Sequence, residues 1–189
     1  MLPRFLLSSV DLPNRTARLD AEEARHLSQV LRLGVGDEVA VFDGAGREFR
    51  AVVERVARDA ADLRVVEEIA AAPEPAVRVT LAQAVLKGDK MDDVVRDATM
   101  MGVAAIVPLI TEHTVAHVKP GATPDRWRRI AIASAKQCRR AVVPVVHPAV
   151  RFADWLSTDH SAVKILLTEP SAAGEYREQH RGLSLNFPA

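Results

Sequence analysis

The stretch VTLAQAVLKGDKMDDVVRDATMMGVAAIVPLI, Val79 to Ile110, decides the architecture. Its first eight residues, VTLAQAVL, read as a strand. The rhythm then changes in GDKMDDVVRDATMMG, where Val94, Val95, Ala98 and Met101 recur at helical spacing and define an inward face. Gly102 stands at the helix C′ position, where a residue without a Cβ costs least. AAIVPLI is the next strand. Strand, helix and strand in that order predict a parallel α/β sheet.

The same alternation continues downstream. Thr123 caps a second helix, Pro124 takes its first position, and its body is DRWRRIAIASAKQCRR. FADWL adds one or two helical turns, and the apolar run VKILLT reads as a buried strand. Upstream, AAAPEPAV (Ala70 to Val77) places two prolines around one glutamate and marks a linker between residues 1–72 and 77–189. Before the linker, strand-like runs predominate: RFLL, DEVAVFD, EFRAVVERV and DLRVVEEI, with DGAG (Asp43 to Gly46) supplying turn chemistry. These predict a small, barrel-like β domain. It holds one helix, DAEEARHLSQVLR, in which Asp20 is the N-cap, Glu23 completes a capping box, and Ala24, Leu27 and Leu31 form a buried stripe before Gly34 stops it. Arg25 and Arg32 lie off that stripe and are free to face a partner.

Composition sets outer bounds. The 189 residues, 48% of them hydrophobic, suffice for a packed core, and Lys plus Arg equals Asp plus Glu at 25 each. The average charge therefore selects no partner, but its distribution is uneven: residues 1–72 carry 10 basic against 13 acidic side chains, and residues 77–150 carry 11 against 6. A single cysteine, Cys138, excludes an internal disulfide and a Cys-rich metal site. With no long apolar leader and no apolar span of about 18 residues, the chain reads as soluble and cytoplasmic.

Projected at helical pitch, the second helix puts Trp127, Ile130, Ser134 and Cys138 on one side and Arg126, Arg129, Lys136 and Arg140 in a narrow arc on another. That arc is either a solvated helix face or a contact for a phosphate backbone. The absence of a carboxylate at i,i+4 spacing after Asp125 favours the second. Other signals are weaker. LKGDK lacks the second glycine of a phosphate loop, and the GVG and GAG runs lead into strands rather than a helix N-terminus. His113 and His117 are four apart on an extended segment with no third ligand nearby, so no metal is expected. His26 reads as structural and Cys138 as inert. Asp89, Asp92 and Asp93 complement a helix dipole. No Ser/His/Asp set or acid–base carboxylate pair presents itself.

Three segments taken together, HLSQVLRLGVGDEVAVFDGAGREF (His26 to Phe49), LAQAVLKGDKMDDVVRDATMMGVAAIVPLI (Leu81 to Ile110) and RWRRIAIASAKQCRRAVVPVV (Arg126 to Val146), resemble one known family. It is the bacterial 16S ribosomal RNA uridine-N3 methyltransferase family, of the SPOUT class. The resemblance covers residues from about 3 to 170. It implies a two-domain α/β protein: a PUA-like β-barrel that helps to hold RNA, then an α/β methyltransferase domain tied in a trefoil knot. It further implies S-adenosylmethionine as cofactor, the small ribosomal subunit as partner, and a homodimer. Met100 and Met101 stand where many members have Glu-Leu.

Family members continue with a Gly-Pro-Glu-Gly-Gly loop and a Leu-Gly-x-Arg-Ile-Leu-Arg-x-Glu-Thr stretch that form the knot and most of the cofactor pocket. Neither occurs in these residues. The expectation is an incomplete methyltransferase domain without a nameable catalytic base. Arg4 and Arg32, by place in the family-like barrel segments, and Arg126, Arg129, Gln137 and Arg140, by helix projection, are the expected RNA contacts. Leu167, Thr168 and Glu169 are the expected cofactor wall. The alternative is an RNA-binding or ribosome-assembly protein without catalysis.

Overall fold

The computed structural model describes residues 2–114, 118–121, 125–159 and 163–167. Met1–Leu156 form one compact unit and Ser157–Ala189 another.

Within the first unit the N-terminal residues make a curled six-stranded sheet, ordered β1-β4-β5-β6-β3-β2. Its strands are β1 (Arg4–Leu6), β2 (Ser9–Asp11), β3 (Thr16–Leu19), β4 (Glu38–Phe42), β5 (Glu48–Val56) and β6 (Ala61–Ile69). β1 pairs with β4 in parallel and the other neighbours are antiparallel. Alternating side chains bury Val39, Val41, Phe49, Ala51, Val53, Leu63 and Val65 on one face with Phe5 and Leu19. The short strands β2 and β3 escape the sequence reading because three or four residues carry too little periodicity.

Helix α1 (Ala21–Arg25) starts at Asp20, whose side chain accepts from the Glu23 amide at 2.9 Å, as a cap should. Glu23 does not complete a capping box; its carboxylate turns to Lys136 instead. A π-helical turn (His26–Val30) follows. There Ser28 Oγ donates to the Ala24 carbonyl at 2.8 Å, occupying the acceptor that the Ser28 amide would use in an α-helix. The wider turn advances less per residue, so Ala24 and Leu27 are fully buried while Leu31 is exposed, against expectation. Arg32, not Gly34, takes the left-handed conformation that ends the helix, with φ 57°.

The second sheet is parallel throughout: β7 (Thr80–Ala84), β8 (Ala105–Ile110), β9 (Val145–Val146) and β10 (Val150–Arg151), with β8 at its centre. Helix α2 (Lys90–Met100) forms the crossover and α3 (Asp125–Cys138) packs on it, burying Met91, Val95, Ala98, Trp127 and Ala131 around Ile106. Gly102 ends α2 at φ 94°, as predicted. Met101 does not face inward but is 82% exposed, because the helix stops one residue before it. α3 ends at Cys138 with Arg139 left-handed at φ 67°, which takes Arg140 out of the projected arc. Thr123 and Pro124 lie outside the described residues. FADWL is helical, as α4 (Phe152–Thr158).

In the second unit, Val163–Leu167 of the apolar run VKILLT has no regular structure and its apolar side chains are exposed, which corrects the predicted buried strand. Apolar composition alone cannot make a strand; the backbone also needs a pairing edge.

Two arginines join these elements inside the first unit. Arg4 of β1 donates from Nε and Nη2 to Glu48 of β5 at 2.8 and 3.0 Å. Its remaining donors reach the Ala135 carbonyl in the last turn of α3 at 3.1 Å and the Arg140 carbonyl at 2.9 Å. The Arg4 guanidinium also lies 4.0 Å from the Phe42 ring centroid. Arg140 in turn binds Glu74 of the proline-flanked segment and donates to Thr99 O at 2.7 Å and Val103 O at 3.1 Å, at the end of α2. Gly46 N donates to Ala141 O and Val143 N to Gly44 O, so the DGAG turn docks on the chain just past α3.

Arg4→Ala leaves Glu48 buried without its cation and should lower the unfolding free energy by about 3–5 kcal/mol. Arg64→Ala, which removes an exposed pair with Glu54, should barely move the urea midpoint. Urea denaturation followed by circular dichroism measures both; equal midpoints for the two variants would contradict the structural role of Arg4.

Candidate nucleic-acid interface

The barrel helix and α3 face each other across a cleft of about 100 Å³, lined by Asp20, Glu22, Glu23, Arg129 and Lys136 among others. At its base the Lys136 ammonium holds both Glu23 carboxylate oxygens, at 2.9 and 2.8 Å, and stands 3.3 Å from His26 Nδ1. An ammonium has no lone pair, so Nδ1 is the acceptor and the imidazole proton sits on Nε2. Phe5 closes the group: its ring lies 5.4 Å from Lys136 Nζ and meets His26 edge-on at 5.7 Å. Burial raises the Glu23 pKa, with Lys136 acting against it, and burial followed by the Lys136 charge lowers that of His26.

The structure sorts the expected RNA contacts into different environments. Arg4 and Arg140 are 9% and 7% exposed, and the donors described above are committed to internal acceptors, so neither presents a cation at the surface. Arg126 is exposed but already engages Asp89, at 3.0 Å, and Asp92 at the start of α2. Arg32, Arg129 and Gln137 are exposed, and neither arginine has an ion-pair partner among the described residues. Arg128 and Arg139, outside the projected arc, are exposed and equally unpaired among the described residues. Helix projection misses this because the carboxylates that neutralise Arg126, Lys136 and Arg140 come from α2, α1 and the linker, at sequence separations of 37, 113 and 66.

Leu167 is 90% exposed in a stretch without regular structure, and Thr168 and Glu169 lie outside the described residues. Two cavities lie beside α1, one lined by Arg25 and Arg58 and the other by Arg129 and Lys136 among others. Among the described residues no three His, Cys, Asp or Glu side chains converge as a metal site; His113 is exposed and His117 lies outside them. None of the described helices is long and apolar enough to cross a membrane. The exposed Arg32 and Arg129 can hold a polyanion.

Comparison with known proteins gives this arrangement a family. The RNA methyltransferase domain family matches residues 73–182, and the RNA methyltransferase PUA domain matches residues 19–66. The chain is 32% identical over 157 residues to ribosomal RNA small subunit methyltransferase E of Synechocystis, covering 82% of this chain and 50% of that protein. It is 27% identical over 165 residues to the Bacillus subtilis enzyme of the same name, covering 85% and 64%. The chain thus spans about half the length of the Synechocystis relative. Among solved structures, a Legionella pneumophila protein in complex with bound SAM superposes with TM-score 0.82 at 26% identity, over 90% of this chain and 72% of that one. The ribosomal RNA small subunit methyltransferase E of Neisseria gonorrhoeae, bound to S-adenosyl methionine, gives 0.75 at 29% identity, over 85% and 67%. The methyltransferase match spans more than half of the chain, and the chain belongs to the RNA methyltransferase family.

The Glu23–Lys136–His26 group gives stability two opposed pH dependences. The folded state binds the His26 proton more weakly than the unfolded chain, so His26 makes stability rise with pH through the window just below 6.5. Glu23, with its folded pKa raised above 4.5, contributes stability that is lost as pH rises through that raised value. Relative to wild type, His26→Gln should therefore reduce, and Glu23→Gln increase, the gain in unfolding free energy between mildly acidic and neutral pH. Urea titrations across that range measure the differences; shifts of the same sign would contradict the assignment.

Proposed function

We propose that this member of the RNA methyltransferase family acts in S-adenosylmethionine-dependent methylation of small-subunit ribosomal RNA, and more narrowly at N3 of a uridine, uridine 1498 of 16S RNA. The observation that carries the proposal is the succession on one chain of an RNA methyltransferase PUA match at residues 19–66 and a methyltransferase match at residues 73–182. The names of the relatives supply the RNA, and two solved neighbours with the bound cofactor supply the donor.

In this reading residues 1–72 are the RNA-holding module and residues 77–189 belong to the methyltransferase module, working as a homodimer on the small subunit in the cytoplasm. The cofactor supplies the methyl group, and N3 of uridine must lose its proton to become nucleophilic. What the described residues supply is position. Arg32, Arg129 and Gln137 hold the RNA backbone from exposed places on the helix ends. Arg126 joins them by exchanging the exposed Asp89 carboxylate for phosphate. The Asp20 carboxylate repels the strand from that side of the cleft.

A second reading, an RNA-binding or assembly protein without catalysis, rests on the same exposed and unpaired cations, Arg32 and Arg129. One experiment separates the two. Small subunits from cells lacking this modification are incubated with the protein and methyl-labelled S-adenosylmethionine, and the RNA is mapped by reverse transcription, which stops where N3 methylation blocks pairing. Label and one new stop at a single uridine are expected. Retained subunit binding without label would select the second reading, and label at another atom or nucleotide would overturn the assignment to N3.

A further inference from the structure

The Lys136–Glu23 ion pair has a histidine as its third partner. A lysine ammonium carries three N–H donors. Those of Lys136 meet three acceptors on the helical segment that begins with α1: Glu23 Oε1 at 2.9 Å, Glu23 Oε2 at 2.8 Å and His26 Nδ1 at 3.3 Å. The Lys136 and Glu23 side chains are only 16% and 10% exposed, so water does not stand in for a lost acceptor there at no cost. Of these acceptors the imidazole is the one that can become a cation. Protonated on Nδ1, His26 stops accepting, starts donating, and sets a second positive charge beside the first. Glu23 and His26 are three positions apart on one helical segment and therefore adjacent on its surface, so the imidazolium can reach the carboxylate by side-chain rotation. Lys136 has somewhere to go: it lines the cleft of about 100 Å³ together with Arg129, Ile132 and Ala133.

We propose that this cluster is a proton-operated switch: uptake of a proton by His26 transfers the Glu23 carboxylate from Lys136 to the imidazolium and releases the Lys136 ammonium into the cleft beside Arg129. The step is acid–base only. A solvent hydronium ion gives its proton to the Nδ1 lone pair, the Nε2 proton stays, and one net positive charge is added. The surrounding charges are accounted for on every side. α3 brings Lys136 and, on the cleft wall, Arg129; the helical segment itself brings Glu23, with Asp20 and Glu22 near it. β1 brings the uncharged Phe5 ring, its Arg4 being held by Glu48. β3 and β6, which pack on α1, spend Arg18, Asp62, Arg64, Glu67 and Glu68 on ion pairs of the sheet. Burial and then the Lys136 charge hold the His26 pKa below its ordinary 6.5, which puts the exchange on the mildly acidic side of neutrality. The backbone does not have to move: Ala24 and Leu27 are fully buried in the barrel, and Arg4 holds the Ala135 carbonyl next to Lys136. Acid thus adds a cation to a cleft that at neutral pH sets Arg129 against Asp20 and Glu22.

The test is nuclear magnetic resonance of the isotope-labelled 189-residue chain, following the His26 ring nitrogens and the Lys136 ammonium from about pH 8 to about pH 5. Lys90, exposed at the start of α2, gives the exchange rate of a solvated ammonium in the same sample. At neutral pH the Lys136 ammonium protons should exchange about tenfold more slowly than those of Lys90, the scale of one hydrogen bond to a charged group. That protection should disappear with the midpoint of the His26 ring titration. In His26→Gln, whose carboxamide oxygen can accept from Lys136 but takes no charge, it should persist to the acid end of the range. Undiminished protection of Lys136 in the unsubstituted chain once His26 is protonated would overturn the switch. Loss of protection at the same pH in His26→Gln would overturn it too, by assigning the release to protonation of Glu23. So would a shared midpoint for Lys136 and the backbone amides of Val41 and Ala51, since general unfolding would then be the cause.

Discussion

Two helices, α2 and α3, end against each other's neighbourhood, and each end leaves backbone carbonyls that an intrahelical amide cannot reach. Arg140 places its guanidinium on Thr99 O and Val103 O at the first of these ends, and Arg4, from the first strand of the chain, reaches Ala135 O and Arg140 O at the second. Each arginine carries its own carboxylate, Glu74 and Glu48, so the charge enters the interior already compensated. The planar fork is what permits it: one guanidinium serves a carboxylate along one edge and two carbonyls along the others, which an ammonium cannot do with the same geometry. Among the described residues no buried side-chain nitrogen or oxygen lacks a hydrogen-bond partner. The curled sheet, the proline-flanked segment and the parallel sheet are therefore tied through one buried relay.

This relay divides the chain's cations by purpose. Buried arginines hold elements together, strand arginines of the curled sheet are spent on cross-strand carboxylates, and a remainder at helix ends, turns and loops has no ion-pair partner among the described residues. Only the remainder can bind a polyanion without first breaking something. An equal total of basic and acidic residues thus conceals a surface with free positive charge at particular places. That is the property an RNA-binding scaffold needs, since long-range attraction depends on where uncompensated charge stands.

The fold was legible where periodicity is long: the strand–helix–strand of Val79 to Ile110 and the long strands β4 to β6 follow from alternation and helical spacing. Elements of two to four residues, β2, β3, β9 and β10, depend on partners distant in sequence and leave no local trace. Leu31 and Met101 were misplaced by the same assumption, that an α-helix runs regularly to its end; a serine-induced π turn and an early stop moved them outward. The site was less legible. Exposed Arg129 and buried Arg140 look alike in a helix projection, and what separates them is Glu74 and two carbonyls from other elements. Charge type is written in the sequence, but charge compensation is written in the tertiary structure.

The central claim, that the arginine relay makes the two sheets one cooperative body, is tested most directly by native-state hydrogen exchange of the intact chain in increasing denaturant. The slowest amides of β4 and β5, around Val41 and Ala51, and those of β8, around Ile106 and Val107, should merge into one opening reaction with a common free energy and denaturant dependence. Two separate isotherms, with one sheet opening while the other stays protected, would contradict it.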